Sequence, residues 1–379
     1  MALRPAPTLV VTLARIPTAS IVASVVTFPG SVLLDKEALF QRSKQDMTSR
    51  EIVTRAIEFK RPPRLPFWQH AVDFAPDDVC DCWEMDRGKG GWFFDHPVVD
   101  DWGCGWAKTE KKNMGQVVHH PLREWSALAT YRPPDPRDPW YFDRLEGEMA
   151  RAGDRYVCVT SHFNLFERVH MLHGFAETLV DLCEAPRQVE KLVDLVLDWK
   201  LAHFAELHRR FGDRVHGLLL TDDWGTQEAP MIGPGMFREI FLPRYRALTH
   251  AIHDHGWHVV LHSCGRVNDL VSLFIEAGVD VLNMQQPRCY GIEELGRRFA
   301  GKVAFLTTVD IQATLPAGDP AAIREEAELL VRHWSTPEGG LIVFNYGDPE
   351  ALGVPPDAAG VMFRAFADLQ QYWFGSNGA

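Results

Sequence analysis

The stretch from Val215 to Gln286 constrains the fold most. It contains three apolar runs of strand length, VHGLLLT, WHVVLH and VDVLNM, each separated from the next by a stretch with helical patterning. The first run breaks into Asp222 and Asp223, the second into His262 and Cys264, and the third into Asn283, Gln285 and Gln286. Strands alternating with helices are the rhythm of parallel strands joined by crossover connections. When such a sheet closes into a barrel, the C-terminal strand ends share one face, and that face carries the chemistry. The plainer alternative is that these polar residues only cap and solvate strand ends. Carboxylates, imidazole, thiol and amides arriving at successive strand ends are more than a turn requires.

The rest of the chain fits one large domain. Of 379 residues, 46% are hydrophobic, enough to build a single sizeable core. The formal net charge of -12 argues against a nucleic-acid surface, which needs clustered basic excess. Seven cysteines, an odd number without a repeated framework, suit a reduced, cytoplasmic protein. Residues 1–46 differ in character from the remainder: they are apolar but broken by Pro, Gly, Ser and Thr, too interrupted for a membrane span. They are expected to be a loosely structured extension or the product of a misplaced start, with the barrel domain spanning 47–379. A homodimer is left open.

Along that domain, Thr48 or Ser49 can cap a helix whose apolar positions Ile52, Val53, Ala56 and Ile57 have helical spacing. Pro62 and Pro63 stop it, and a first strand runs from Leu65 to Trp68. Residues 69–140 are irregular and rich in Asp, Trp, Gly and Pro. They read either as a cover over the barrel mouth or as an ordinary hairpin. Cys80 and Cys82 lack the further ligands of a structural zinc site. Further strands are expected at 155–161, 303–310 and 340–345, with helices over 186–211, roughly 320–334 and 357–373. The strand at 303–310 ends in Asp310, and Asp348 lies just beyond the strand at 340–345. One active face would then carry Asp222, His262, Asn283, Asp310 and Asp348. Trp102, Trp106 and Trp224 would either border it or fill the core.

His262 and Cys264 are two residues apart, and in an extended strand such neighbours point the same way. An imidazole and a thiolate converging on one point suit zinc, with Asp222, Asp223, Asp348 and Cys289 as candidates for the remaining ligands. A Cys–His nucleophile pair competes with this reading but lacks an orienting third group.

From about Met47 onward the chain resembles the uroporphyrinogen decarboxylase superfamily, which also contains zinc-dependent corrinoid methyltransferases. The resemblance is carried by TDDWGTQ, PRY, GWHVVLHSCG and GVDVLNMQQP, supported by LTTVDIQ at 306–312 and FNYGDPEALGVPPD at 344–357. DDWGCGW at 100–106 is similar to a segment of the methyltransferase-like branch. The resemblance implies a single (β/α)8 barrel of the TIM type.

Departures from the family pattern shape the functional expectation. Porphyrinogen decarboxylases place arginines after the first strand, where this chain reads PFWQHAVDF. They also place a histidine where this chain has Asp348. A substrate with many carboxylates needs that positive charge. His262 and Cys264 match two ligands of the zinc methyltransferases, but the third cysteine is missing, so Asp223 or Asp348 would substitute. The resemblance thus implies zinc-dependent methyl transfer between a small methylated donor and a corrinoid (cobalamin) carried on a separate protein. Zinc would polarise the donor heteroatom. Asp222 or Asp223 would complete the metal shell or supply a proton, and Gln227, Asn283 and Gln285 would orient the donor. The alternatives are a decarboxylase acting on a small acid and a non-catalytic ligand-binding barrel.

Overall fold

In the computed structural model, residues 47–69, 74, 76–85, 98–108, 115–348 and 350–374 are described. Residues 1–46 lie outside this set, and with them the expectation of a loose extension. Among the described residues, no helix is long and apolar enough to cross a membrane.

Eleven strands are described: β1 (Phe67–Trp68), β2 (Val79–Trp83), β3 (Val98–Val99), β4 (Gly105–Ala107), β5 (Gln116–His119), β6 (Tyr156–Ser161), β7 (Gly217–Thr221), β8 (His258–His262), β9 (Val281–Met284), β10 (Ala304–Thr307) and β11 (Leu341–Phe344). Eight of them form one parallel sheet in the order β1-β11-β10-β9-β8-β7-β6-β2. The sheet curls into a nearly closed barrel, as the alternating strand and helix patterns predict. Its seam lies between β1 and β2, where Asp78 takes the place of ladder bonds. The Asp78 N–H donates to Phe67 O at 2.8 Å, and the Phe67 N–H donates to Asp78 Oδ2 at 2.9 Å. Arg64 grips the same carboxylate through both terminal nitrogens, and the Ser49 hydroxyl adds a 2.6 Å bond.

Strand alternation sorts the side chains. Inside the barrel sit Trp68, Val79, Tyr156, Cys158, Leu219, Val260, Val281, Ala304, Leu306, Ile342 and Phe344. The helix Ser49–Ile57 contributes Val53, Ala56 and Ile57 to the same cluster and plugs the N-terminal end. It begins as expected, with Thr48 and Glu51 forming a capping box. A second, larger apolar cluster joins the outer strand faces to the surrounding helices. The helices Pro186–Phe211 and Pro320–Trp334 match the expected spans.

The irregular region contains a three-stranded antiparallel sheet, β3-β4-β5. Its DDWGCGW turn is organised by Asp100, whose carboxylate accepts from the backbone of Trp102 and Cys104 and from the Trp106 indole. Trp102, Trp106 and Trp224 are all buried, so their role is packing rather than bordering an open mouth. Trp224 stacks on Phe166 and lies edge-on to Phe237 and Phe241.

Candidate active site

The register lines up the site. Thr221 pairs with His262, and His262 pairs with Asn283, across three adjacent strands. Counting by two from the inward Leu219, Val260 and Val281 brings all three side chains inward at the C-terminal layer. The chain then turns sharply at two glycines. Gly265 has φ +75°, and a Cβ there would fall 2.2 Å from Gly225 O. A Cβ at Gly225 would meet the backbone of Gly265 at 2.5 Å. The loops after β7 and β8 therefore press together backbone to backbone, joined by Gly225 N–H to Cys264 O at 3.1 Å and Arg266 N–H to Thr226 O. That contact brings Asp223 and Cys264 to the same point.

Asp223, His262 and Cys264 each present a ligand atom within 4.8 Å of the others, the one such group of three or more among the described residues. Cys264 Sγ lies 3.3 Å from His262 Nε2, and Asp223 Oδ1 lies 3.6 Å from it. Metal bonds of roughly 2.3 Å to sulfur and 2.0 Å to nitrogen or oxygen, at a tetrahedral angle, would separate such atoms by about 3.5 Å. The donor set therefore fits a small divalent metal. Asp223 is steered by the Cys264 N–H, which donates to Oδ1 at 2.7 Å.

The imidazole is oriented from behind. Asn283 Nδ2 donates to Leu306 O at 3.1 Å, which leaves Oδ1 as the acceptor. Gln285 Nε2 donates to that oxygen at 2.7 Å. His262 Nδ1, also 2.7 Å from it, must then carry its proton and donate. The lone pair is left on Nε2, facing Cys264 and Asp223. An amide relay behind a histidine is the outer-shell arrangement that holds a metal ligand in one tautomer. Burial, with Asp223 and Glu167 nearby, raises the Cys264 thiol well above its ordinary pKa. A bound cation reverses that effect by favouring the thiolate.

Several expected site residues do other work. Asp222 is one residue out of phase with Thr221, so it points outward. Its carboxylate caps the helix Leu165–His173, accepting from the backbone of Glu167 at 2.7 Å and Phe166 at 3.1 Å, and it also accepts from the Tyr245 hydroxyl. Burial raises its pKa to about 7. It caps the helix and is absent from the ligand group. Asp310 likewise closes a turn, accepting from the backbone of Gln312 and Ala313 at 2.9 Å. Asp348 accepts from Ala351 N–H at 3.1 Å and is absent from the ligand group. Cys289 donates to Gln227 O at 3.5 Å and is absent from it too. Gln227 is exposed and reaches Gln286 Oε1 at 3.4 Å. Asn283 and Gln285 both contact the His262 imidazole.

Two residues at the site were not singled out from the sequence. Glu167, in the first turn of the helix after β6, accepts from Thr221 Oγ1 at 2.9 Å. Burial, then the carboxylates of Asp223 and Asp222, raises its pKa well above the usual range. Tyr346, just after β11, has its phenol pKa raised by burial and by Cys264, Asp348 and Asp223. Nothing in the sequence sets Glu167 apart from the first-turn acids of other helices, such as Glu177 and Glu293.

The structure is thus a parallel barrel with a candidate metal site of His, Cys and Asp at the C-terminal ends of its strands. The chain belongs to the uroporphyrinogen decarboxylase family, whose sequence profile matches residues 98–369. Among solved structures it is similar to a methyltransferase from Methanosarcina mazei, with a TM-score of 0.62 at 13% identity, covering 86% of this chain and 99% of that one. At that identity the likeness speaks for the fold alone. A weaker likeness, to xylanase 10B from Thermotoga maritima, has a TM-score of 0.38 at 12% identity over 66% of this chain and 85% of that one. No curated protein matches.

Proposed function

We propose that the protein is a zinc-dependent methyltransferase that moves a methyl group from a small methylated donor to a corrinoid carried on a separate protein. The observation that carries this reading is the convergence of Asp223 Oδ1, His262 Nε2 and Cys264 Sγ at separations that suit tetrahedral zinc. Bound there, zinc would act as a Lewis acid toward the donor heteroatom, which gathers negative charge as the methyl group leaves. The chain's own residues set up that role. Asn283 and Gln285 hold His262 in the ligating tautomer, and the Cys264 N–H holds Asp223. Asp223 brings its carboxylate to the mouth, while neighbouring Arg168 is turned toward Asp100 and lies over the Trp102 and Phe163 rings. This favours a cation over a substrate with many carboxylates.

A second reading is favoured by the family match itself: decarboxylation of a small acid, with its carboxylate held at the same centre. One assay separates the two. The zinc-loaded protein is mixed with cob(I)alamin and a panel of methoxylated and N-methylated compounds while the cobalt spectrum is followed. Methylcobalamin formation that disappears with a chelator and in Cys264→Ala supports methyl transfer. No methylation across the panel, also with corrinoid proteins supplied, together with carbon dioxide release from a small carboxylic acid, replaces it with the decarboxylase reading.

A further inference from the structure

On strand β2 the inward side chains are the accessible ones. Val79 belongs to the interior cluster, so the alternation that follows turns Asp81 and Trp83 inward as well, and Cys80 and Cys82 outward. The outward pair is buried at 6% and 0% exposure, as is Val79 at 2%, whereas Asp81 and Trp83 are partly exposed. The helix Ser49–Ile57 closes the barrel below them, and the larger apolar cluster covers the strand from outside. The opening that these two side chains reach is therefore the mouth. The register agrees: Asp81 pairs with Cys158, another interior residue, and Trp83 pairs with Thr160.

Neighbouring groups hold Asp81 in place. The Thr160 hydroxyl donates to Oδ1 at 3.1 Å, and the Trp83 indole N–H donates to Oδ2. Both donors are neutral, so neither offsets the carboxylate's charge, and each carboxylate oxygen has a further lone pair to offer. The Trp83 ring, 5.1 Å from the His162 ring, stands beside the carboxylate as an aromatic wall. Two strands, β6 and β7, separate β2 from β8, so Asp81 faces the metal ligands from across the barrel and is absent from their group. Asp223 and the Cys264 thiolate, the two anionic ligands, balance a divalent metal between them. The charge of Asp81 is additional to that balance. A carboxylate against an aromatic wall in a partly enclosed mouth favours a cation, above all an ammonium group that can donate to it.

We propose that Asp81 and Trp83 form a cation subsite that selects the methyl donor: a small molecule with an ammonium group at one end and its methyl-bearing heteroatom at the other. The inference rests on the methyl-transfer reading above for the second half of that description, and on β2 for the first. The ammonium group donates to Asp81 and its methylenes lie against Trp83, while the heteroatom reaches the centre formed by Asp223, His262 and Cys264. Both ends are fixed by the same barrel, so one spacing between them fits best. The methyl-bearing atom is not the ammonium nitrogen itself, since a nitrogen with four bonds has no lone pair to offer a metal.

The test is isothermal titration calorimetry on the full zinc-loaded chain, which needs no turnover. The ligands are ω-methoxyalkylammonium ions of increasing length, from 2-methoxyethylammonium upward, each compared with the methoxy alcohol of the same length. A charge-assisted hydrogen bond to a carboxylate is worth about 10–100-fold in affinity. The expected result is a preference for the ammonium ion in that range, peaking at one chain length. Asp81→Asn keeps the size and one acceptor but not the charge, and should bring the preference to within about twofold. Equal binding of ion and alcohol in wild type, no binding of either, or a preference that survives Asp81→Asn each overturns the proposal. So does loss of zinc in Asp81→Asn, which would make Asp81 a ligand. If Asp81→Asn does not fold, Trp83→Phe gives the second measurement: it keeps a ring but removes the N–H that holds Oδ2, so the preference must fall, and an unchanged preference refutes the subsite. Adding cob(I)alamin to the best-fitting ion and following the cobalt spectrum separates this proposal from the reading it rests on. Selective binding without methylcobalamin leaves the subsite standing as the methyl-transfer reading falls. Methylation from methoxy compounds with no preference for the ammonium ion keeps that reading and removes the subsite.

Discussion

Replacing Asn283 with leucine tests whether the amide relay controls the metal. Asn283 is 1% exposed and makes three bonds, accepting from His262 Nδ1 and Gln285 Nε2 and donating to Leu306 O. Leucine is of similar size and makes none of them. Each buried polar group left without a partner costs about 1–3 kcal/mol. Water at the mouth can relieve part of this, so a loss of about 2–4 kcal/mol in stability is expected. The effect on the metal is separate. With no acceptor behind Nδ1, the imidazole proton is free to move to Nε2, which removes the lone pair facing Cys264 and Asp223. Losing such an outer-shell partner weakens metal binding about 10–100-fold, equivalent to about 1.4–2.8 kcal/mol. Zinc affinity is measured by competition with a chromogenic chelator, and folding is followed by thermal melting of the same sample. Asn283→Asp is the contrast, since it keeps an acceptor for His262 and Gln285 and should hold zinc nearly as well as wild type. A leucine variant that melts cooperatively and binds zinc within twofold of wild type refutes the relay.

Other outcomes rest on single contacts. Gly265→Ala should fail to fold or lose zinc, because its Cβ would lie 2.2 Å from Gly225 O at φ +75° and both obstacles are backbone; circular dichroism and zinc content check it, and a folded, zinc-loaded variant contradicts the close loop contact. Asp78→Ala should cost about 3–5 kcal/mol in urea unfolding, since it strips Arg64 of its carboxylate and opens the β1–β2 seam; a change below about 1 kcal/mol, on the order of a surface ion pair, would mean the seam is held elsewhere. His216 has its pKa lowered to about 4 by burial, with Arg50 and His258 adding to the shift, and its Nδ1 accepts from Val157 N–H at 2.8 Å. The unfolded chain binds that proton more readily, so this contribution is complete above the ordinary histidine pKa of about 6.5 and is lost as pH falls toward 4. His216→Asn keeps an acceptor and should lose less stability than wild type between about pH 7 and pH 5; equal losses contradict the burial argument.

The barrel was legible because its pattern is coarse. Apolar runs of strand length between amphipathic helices survive errors of one to three residues at their ends, as with the strand expected at 303–310 and found at Ala304–Thr307. The candidate metal pair was legible for a different reason: His262 and Cys264 lie close in the chain, so local geometry alone brings Sγ to 3.3 Å from Nε2. The placement of Glu167 was not legible, because it depends on a hydroxyl 54 positions away and on a left-handed turn at Phe163 that no residue preference announces. Asp348 looked equivalent to Asp223 in the sequence, each lying just past a strand end. The difference between them is tertiary: the loop bearing Asp223 is pressed onto the Cys264 turn by two facing glycines, whereas Asp348 is taken up by its own turn.

The adjacent acids Asp222 and Asp223 show how far strand phase alone can decide a role. Thr221 pairs with the inward His262, so Asp222 must face out, and the strand ends before the alternation can dictate Asp223. Facing out, Asp222 meets two helix-terminal N–H groups and a tyrosine hydroxyl, which satisfy its carboxylate. Asp223, freed from the ladder, swings back to the mouth and is caught by Cys264 N–H. Exchange of roles is therefore barred by geometry rather than by chemistry. Asp222→Asn should spare zinc binding and weaken the fold, because the amide still offers one oxygen to the helix end but no longer a charge. Asp223→Asn should do the reverse, keeping an acceptor for Cys264 N–H while losing the anionic ligand. Chelator competition and urea unfolding on the two variants read these effects separately. Zinc loss in Asp222→Asn, with Asp223→Asn binding zinc as wild type does, would reverse the assignment and place the wrong acid at the metal.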